Sequence, residues 1–314
     1  MTIDIMKSLK QTRVGVLMGG LSNEREISLA TGEAVAASLV RQGVDCVKID
    51  AKRDLAKRLL EEKVGLAFIA LHGRYGEDGC VQGLLELMDI PYTGSRVAAS
   101  AIAMSKRLTK IYASAADMPT PPWIIVSKRV FDPSSARAPM APPAVVKPAN
   151  GGSSVNVTIV MDEREMIPAI SRALMEDDEA IVERYIDGKQ LTVGVLAGQA
   201  LPAIEIEPIQ GFYDYANKYT PGNTIYHLPA RVDDDTAALA GEMALKMHRE
   251  LGCRGQTRSD FILDDSGRLW FIEINTIPGM TRTSLLPKAA DHAGISFDEL
   301  VFRIIAATLQ GGGA

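Results

Sequence analysis

Two stretches in the last third of the chain carry polar groups within otherwise apolar sequence. TRSDFIL supplies Arg258 and Asp260, and RLWFIEIN supplies Glu273 and Asn275. Side chains two residues apart on a strand share a face, so the two polar groups of each stretch point the same way. Two carboxylates and an amide oxygen on one surface repel one another unless a cation lies between them. Such hard oxygen ligands suit Mg²⁺.

The turn between the two stretches decides whether these side chains meet. The connecting DDSG is typical of a tight turn. A hairpin with a two- or four-residue loop would pair Arg258 with Glu273 and Asp260 with Phe271, which places the polar groups on one face. The apolar side chains expected to be buried on the second strand are Trp270, Ile272 and Ile274. A solvent-exposed face with an Arg258–Glu273 ion pair explains the same residues equally well.

A glycine-rich turn offers a second site, for anionic oxygens. VVKPANGGSSV places Lys147 at the end of an apolar strand, and the backbone amides of the turn at 151–154 can surround phosphate oxygens. A plain hairpin is the alternative interpretation. The chain contains no GxxxxGK[ST], and no GxGxxG follows its first strand. The P-loop and Rossmann fingerprints are therefore missing, which argues against a dehydrogenase.

The elements that must position these groups divide into three predicted domains. Residues 1–105 alternate apolar strands with helical segments, which predicts a parallel sheet. Residues 106–190 begin with a helix and continue as a small mixed layer around the glycine-rich turn. Residues 191–314 contain the strands of the polar face and end in a helix. The predicted fold class is α/β and α+β.

Composition excludes several classes of partner. The chain has 314 residues and a net charge of −5, so it carries no overall basic footprint for nucleic acid or anionic lipid. Its three cysteines, Cys46, Cys80 and Cys253, are widely spaced and indicate reduced thiols rather than a zinc site. No apolar run approaches the ~20 residues that span a bilayer. We expect a cytoplasmic protein without a nucleic-acid or membrane partner.

Five segments, taken in order, resemble one enzyme family. They are MGGLSNEREISL, IALHGRYGEDGCVQGLLELMDIPYTGS, VVKPANGGSSV, FYDYANKY and EINTIPGMTRTSLLP. Together they are similar to the D-alanine:D-alanine ligases, which have the ATP-grasp fold. The resemblance implies a three-domain ATP-grasp architecture, with an N-terminal parallel-sheet domain and the nucleotide held between the central and C-terminal domains. It also implies ATP-dependent joining of two D-alanines through an acyl phosphate, for peptidoglycan precursor synthesis, by a homodimer.

The resemblance assigns roles at the nucleotide and the metal. The residues expected to hold Mg²⁺, or Mn²⁺ in its place, are Asp260, Glu273 and Asn275. The residues expected to bind ATP are Lys106, Lys147, Glu183, Ile186 and Gln190. Among these, Glu183 and Ile186 match the adenine edge. Gln190 departs from the family, where a glutamate is expected to hold the ribose hydroxyls.

The resemblance also assigns the two amino-acid sites. The residues expected around the first D-alanine and over the closed site are Glu24, His72, Ser153, Lys218 and Tyr219. Those expected at the tetrahedral intermediate and at the second D-alanine are Arg258, Gly279, Ser284 and Leu285. Glu24 would hold the first ammonium group, and Arg258 would stabilise the intermediate together with the backbone of Gly279. Ser284 and Leu285 would bind the second carboxylate.

Two other functions stay open at this point. One is an ATP-grasp ligase that joins a different amino-acid pair in a secondary pathway, to which departures such as Gln190 lend some weight. The other is a catalytically silent nucleotide-binding subunit. Retention of the acids, the lysines and the arginine argues against a silent subunit.

Overall fold

The first sheet is parallel, as the alternation of strands and helices predicts. The computed structural model describes residues 2–152, 156–209 and 222–310. The strands of this sheet are β1 (Val14–Met18), β2 (Cys46–Asp50) and β3 (Leu66–Ile69). Their order is β2-β1-β3, with both pairings parallel. The helices of this region are α1 (Thr2–Lys10), α2 (Arg25–Arg41), α3 (Leu55–Glu61), α4 (Cys80–Leu87) and α5 (Val97–Met104).

The second sheet has four antiparallel strands, and its second strand along the chain leads into Gly151 and Gly152, the described part of the glycine-rich turn. Its strands are β4 (Trp123–Ser127), β5 (Ala144–Pro148), β6 (Thr158–Val160) and β7 (Glu179–Arg184). Their order is β4-β7-β5-β6. The helices of this region are α6 (Lys106–Ala115) and α7 (Glu163–Glu176). The Asp162 carboxylate caps α7 by accepting a hydrogen bond from the Arg164 amide at 2.9 Å, and acidic residues in the first turn suit the helix dipole.

The third sheet has six antiparallel strands and carries the polar face. Its strands are β8 (Lys189–Leu196), β9 (Gln199–Ala200), β10 (Ile204–Pro208), β11 (Thr224–His227), β12 (Gln256–Leu263) and β13 (Leu269–Asn275). The order is β11-β10-β8-β12-β13, and β9 pairs with β8. The helices of this region are α8 (Asp234–Glu250), α9 (Leu285–His292) and α10 (Phe297–Gln310).

The predicted register of the β12–β13 hairpin is wrong by two residues at the polar face. Arg258 lies opposite Asn275, and Asp260 lies opposite Glu273. The loop is longer than expected, because the last pair before it joins residues 263 and 269. A shift of two residues along one strand preserves the face, so the four polar side chains still point to the same side of the sheet.

A β-bulge explains which apolar side chains of β13 are buried. The register shifts after Asp260, so that Phe261 lies opposite Phe271 and Ile272 is the extra residue of β13. Such a bulge moves the residues on its two sides out of simple alternation. The prediction of a buried Trp270 and Ile272 is therefore wrong. The buried side chains of β13 are Leu269, Phe271 and Ile274.

Two hydrophobic cores cross the predicted domain limits. Phe68 of the first sheet packs in one core with Ile305 of α10. Ala113 of α6 packs in another core with Leu191 and Phe261 of the third sheet. The limits at residues 105 and 190 therefore do not coincide with boundaries between cores, and they stay predictions. Among the helices of the described ranges, none has the length and apolar character needed to cross a bilayer.

Candidate functional site

Two adjoining pockets lie along the polar face. A cleft of about 1720 Å³, here called the larger pocket, is lined by residues of both antiparallel sheets. A cavity of about 530 Å³, here called the smaller pocket, is lined by residues of the third sheet, α2 and the start of α9. The residues that line both pockets are Glu24, Met104, Lys106, Gly151, Gly152, Asp260 and Glu273. Gly151 and Gly152 of the predicted phosphate turn and the two acids of the predicted metal face thus lie where the pockets meet.

The structure places the predicted site residues that it describes along the two pockets, and Glu24, Lys106, Asp260 and Glu273 line both. Those of the nucleotide group that line the larger pocket are Lys106, Lys147, Glu183, Ile186 and Gln190. Those of the amino-acid group that line the smaller pocket are Glu24, His72, Arg258, Gly279, Ser284 and Leu285. Asn275 also lines the smaller pocket. The predicted residues Ser153, Lys218 and Tyr219 lie outside the described residues.

Three hydrogen bonds hold the Asp260 carboxylate on the polar face. It is buried, and its Oδ1 accepts a hydrogen bond from Thr192 Oγ1 at 2.6 Å. The Arg258 guanidinium donates to both of its oxygens, at 3.0 and 3.1 Å. Among the described residues, the ion pair of Arg258 is with Asp260, whereas the solvent-face interpretation expected it with Glu273. These bonds orient Arg258 toward the smaller pocket.

The other oxygen-bearing side chains of the polar face have the chemistry that a hard cation prefers. Glu273 lies beside Lys106, with 3.9 Å between Oε2 and Nζ, and Lys106 also donates to the carbonyl of Gly151. Asn275 keeps its Oδ1 toward the backbone by accepting from the Ile277 amide at 2.8 Å, which fixes its orientation. Two carboxylates and an amide oxygen on adjacent strands match the donor chemistry that Mg²⁺ takes in proteins.

A buried charge cluster supports the wall of the larger pocket. Glu183 receives the Lys147 ammonium on Oε1, and the Lys110 ammonium lies 2.7 Å from its Oε2. Lys110 is fully buried and also donates to Thr120 Oγ1 at 2.8 Å. Burial alone would raise the pKa of Glu183, but the two ammonium groups outweigh it and lower this pKa from 4.5 to about 2. Glu183 is therefore an anion that positions Lys147.

Lys110 and Thr192 were not predicted from the sequence. The residues of α6 on one helical face, at the spacing i, i+3, i+4 and i+7, are Lys106, Thr109, Lys110 and Ala113, and the last three are buried. A lysine within a buried helical stripe was the available signal for Lys110. Thr192 follows the alternation of its strand and lies directly opposite Asp260. Only the pairing of β8 with β12 reveals that contact.

The loop before α2 reaches the smaller pocket next to a sharp turn after β3. The Ser22 hydroxyl donates to the carbonyl of His72 at 2.6 Å and accepts from the Glu24 amide at 3.2 Å. Gly73 has φ +69°, and a Cβ at this position would lie 2.6 Å from Glu24 Oε2. A side chain there would displace the Glu24 carboxylate, so this position requires glycine.

A buried hydrogen-bond chain links His72 to the loop of Gly279. His72 Nε2 lies 3.1 Å from Thr31 Oγ1, and its Nδ1 lies 3.7 Å from Glu77 Oε1. The same Thr31 oxygen accepts from the Met280 amide at 3.4 Å. A proton on Nδ1, facing the acid, leaves Nε2 to accept from the threonine hydroxyl. Thr31, which the sequence did not single out, thus joins the N-terminal part of the pocket to its C-terminal loop.

Ser284 closes the other end of the smaller pocket. Its Oγ accepts from the Thr281 amide at 3.1 Å and lies 2.8 Å from Thr281 Oγ1. A Cβ on Gly279 would come within 2.8 Å of that Oγ. The close approach brings the Gly279 backbone and the Ser284 hydroxyl to one place, at the start of α9.

A further acid cluster, at the edge of the larger pocket, does not resemble a metal site. Within the described ranges, Glu205, Glu207 and His227 form the one group of three His, Cys, Asp or Glu residues close enough to share an ion. Arg231 pairs with both glutamates, at 2.6 and 2.8 Å, and His227 Nε2 lies 2.6 Å from Glu207. These contacts lower the pKa of Glu207, with the His227 bond the largest cause. An arginine already supplies the charge that a metal would.

Comparison with known proteins gives consistent matches along the chain. Residues 112–306 match the family model described as the D-ala D-ala ligase C-terminus, and residues 51–95 match that of the D-ala D-ala ligase N-terminus. The D-alanine--D-alanine ligase of Syntrophotalea carbinolica is 49% identical over 300 residues, covering 96% of this chain and 97% of that protein.

Solved structures agree with these matches. The D-alanine--D-alanine ligase of Bacillus anthracis complexed with ATP superposes with a TM-score of 0.83 at 34% identity, over 95% of this chain and 98% of that one. The VanG D-Ala:D-Ser ligase of Enterococcus faecalis gives a TM-score of 0.81 at 30% identity, over 95% of this chain and 99% of that one.

Proposed function

Because the chain belongs to the D-alanine–D-alanine ligase family, we propose that its two adjoining pockets hold ATP and the two amino acids of the ligation. The chain is an ATP-dependent ligase that joins two D-alanines to D-alanyl-D-alanine for cell-wall synthesis, and its fold is the ATP-grasp architecture. The observation that carries the assignment of the pockets is their shared lining. Asp260, Glu273 and Gly151 border both pockets. A phosphoryl group must pass between nucleotide and amino acid at such a boundary.

The first step is transfer of a phosphoryl group to the donor carboxylate. Glu24 holds the donor ammonium group, so that a carboxylate oxygen faces the terminal phosphate of ATP. That oxygen attacks the phosphorus, the bond to ADP breaks, and an acyl phosphate forms. The charges that reduce repulsion between these anions are the ammonium groups of Lys106 and Lys147. Bound Mg²⁺, which we assign to Asp260, Glu273 and Asn275, would neutralise phosphate charge.

The second step is attack of the acceptor amine on the acyl carbon. The neutral amine of the second D-alanine adds to the carbonyl, phosphate leaves with the oxygen it received, and the amine proton is lost. Negative charge develops on the carbonyl oxygen, where the Arg258 guanidinium and the Gly279 amide stabilise it. Asp260 holds that guanidinium with two hydrogen bonds, so Arg258 is oriented before the charge develops.

A phosphate-release assay tests this function. We expect phosphate release to require ATP, Mg²⁺ and D-alanine together, and L-alanine to support little of it. Equal rates with L-alanine and D-alanine, or D-alanine-independent release, would contradict the assignment. Release that is stronger with another D-amino acid as the second substrate would favour a ligase for a different amino-acid pair.

We also propose the cytoplasm as the place of reaction and a homodimer as the assembly. The three cysteines, all within the described residues, are free thiols, as a reducing compartment requires. The dimer rests on the family resemblance, and sedimentation velocity at micromolar concentration tests it. A sedimenting species with the mass of one chain at these concentrations would contradict the dimer.

Replacing Gln190 with glutamate is expected to lower the KM for ATP about fivefold, without a change in the KM for D-alanine. Gln190 lies on β8 between Ile206 and Ile262 and lines the larger pocket. A carboxylate accepts hydrogen bonds from ribose hydroxyls more strongly than an amide, by about 1 kcal/mol. Steady-state kinetics with varied ATP provide the measurement. The control Gln199→Glu adds the same charge on the exposed strand β9; an unchanged or higher KM for Gln190→Glu alone would remove Gln190 from the ribose.

A further inference from the structure

Among the residues that the structure describes, Lys288 is a cation of the smaller pocket without an acidic partner. Of the described residues, the lysine and arginine side chains that line this pocket are Lys106, Arg258 and Lys288. Lys106 lies beside Glu273 and donates to a backbone carbonyl, and Arg258 binds Asp260. Lys288 forms no hydrogen bond or ion pair among the described residues; its ammonium lies 4.2 Å from the ring centre of Tyr226.

The surroundings of Lys288 favour an anionic ligand. The side chain is half-buried, and this loss of water lowers the pKa of its ammonium group. A tyrosine ring attracts a cation, but it leaves the ammonium hydrogens without strong acceptors. An anion entering the pocket would supply those acceptors, and the same burial would strengthen the resulting charge-assisted hydrogen bonds.

The position of Lys288 indicates which anion it would bind. Lys288 lies four residues after Ser284, at the start of α9, so the two side chains lie on one face of the helix. The acidic side chains lining the pocket are Glu24, Glu26, Glu77, Asp260 and Glu273. An amino acid bound near Ser284 brings its own carboxylate into this acidic surrounding, and it therefore needs a cation that is not already paired.

We propose that Lys288 binds the carboxylate of the attacking amino acid and thereby selects acceptors with a free carboxylate. The inference rests on the proposed function, because it assigns the acceptor end of the same pocket. The sequence predicted Ser284 and Leu285 as the residues that bind this carboxylate. Lys288 adds a positive charge to that site. The donor carboxylate is phosphorylated elsewhere, so Lys288 acts on the acceptor alone.

D-alaninamide separates the acceptor from the donor. It has an amine that can attack, but no carboxylate that can be phosphorylated, so it serves only as acceptor. With D-alanine as donor, we expect wild-type enzyme to use D-alanine as acceptor roughly 10- to 100-fold better than D-alaninamide, judged by kcat/KM from mass spectrometry of the two dipeptide products. In Lys288→Met, kcat/KM for D-alanine as acceptor should fall by that factor, while kcat/KM for D-alaninamide and the KM of the donor should stay unchanged.

The controls distinguish a missing contact from a general loss of charge or fold. Arg282→Met removes an exposed cation from the same segment that does not line the pocket, and it should retain the preference. Lys288→Arg should also retain it; if Lys288→Met does not fold, Lys288→Gln takes its place with the same expectation. Equal losses for both acceptors, or an unchanged preference, would overturn the proposal. Absence of any dipeptide from wild-type enzyme would instead overturn the proposed function.

Discussion

Replacement of Glu273 by glutamine is expected to lower the rate of ligation by on the order of 10²–10³-fold and to leave the fold intact. Glu273 lies opposite Asp260 on the polar face, at the boundary of the two pockets. The amide has nearly the same shape but lacks the charge that a bound metal and the neighbouring Lys106 require. The Glu273 side chain is 30% exposed, so its loss should change the free energy of unfolding by less than about 1 kcal/mol.

Phosphate release at saturating Mg²⁺, together with urea unfolding, measures both parts of this prediction. Glu33→Gln is the matched control, because Glu33 pairs with Lys48 at 2.8 Å on the surface and lines neither pocket. It should behave as wild type in both measurements. A Glu273→Gln enzyme with wild-type turnover would remove Glu273 from the metal site.

Replacement of Glu183 by glutamine is expected to destabilise the protein by about 3–5 kcal/mol and to weaken ATP binding. The change leaves the ammonium groups of Lys110 and Lys147 buried without their shared counter-ion, which is the costly way to break a buried ion pair. Urea unfolding measures the loss. Glu179→Gln is the control, since Glu179 begins the same strand and pairs with a partly exposed Arg107; it should cost less than about 1 kcal/mol. Equal losses would contradict the role of the cluster.

The pH dependence of this loss follows from the direction of each pKa. In the wild type the pKa of Glu183 is lowered from 4.5 to about 2, so its stabilising contribution is complete above pH 4.5 and disappears as the pH falls toward 2. Burial lowers the pKa of Lys110, although Glu183 opposes the shift. Without Glu183 that pKa should fall further. A rising pH then lets Lys110 lose its proton in the folded state, so the deficit of Glu183→Gln should be smaller at pH 9 than at pH 6.

The periodicity of the sequence was enough to predict the parallel sheet of the first region and the hairpin of the polar face. Strands alternating with helices before residue 105 form the parallel sheet, and the two polar stretches form the predicted hairpin. The family resemblance is confirmed by the matches along the chain. The site residues that the structure describes line the two pockets as grouped, while their chemical roles stay predictions, as do those of the residues outside the described ranges.

The errors and omissions have physical causes. A β-bulge depends on how two strands meet, so the alternation within β13 could not reveal that Ile272 is the extra residue. From the sequence alone, Lys110 is interpreted as a solvent-exposed helical lysine. Only the structure shows that Glu183 of β7 lies beside it. Lys288 is likewise an ordinary lysine in the sequence. Its role as an anion-binding residue can be inferred only from the structure, which shows that the other cations of the pocket lie beside acids.

The most direct test of the account follows the oxygen atoms of D-alanine labelled with ¹⁸O in both carboxylate positions. If the donor carboxylate attacks ATP in the shared boundary of the pockets, one labelled oxygen leaves with phosphate when the amine adds. Mass spectrometry should then find one ¹⁸O in each inorganic phosphate and three in each D-alanyl-D-alanine. Release of unlabelled pyrophosphate, with the missing ¹⁸O in AMP, would show activation by adenylyl transfer, and it would contradict the acyl-phosphate mechanism assigned to this site.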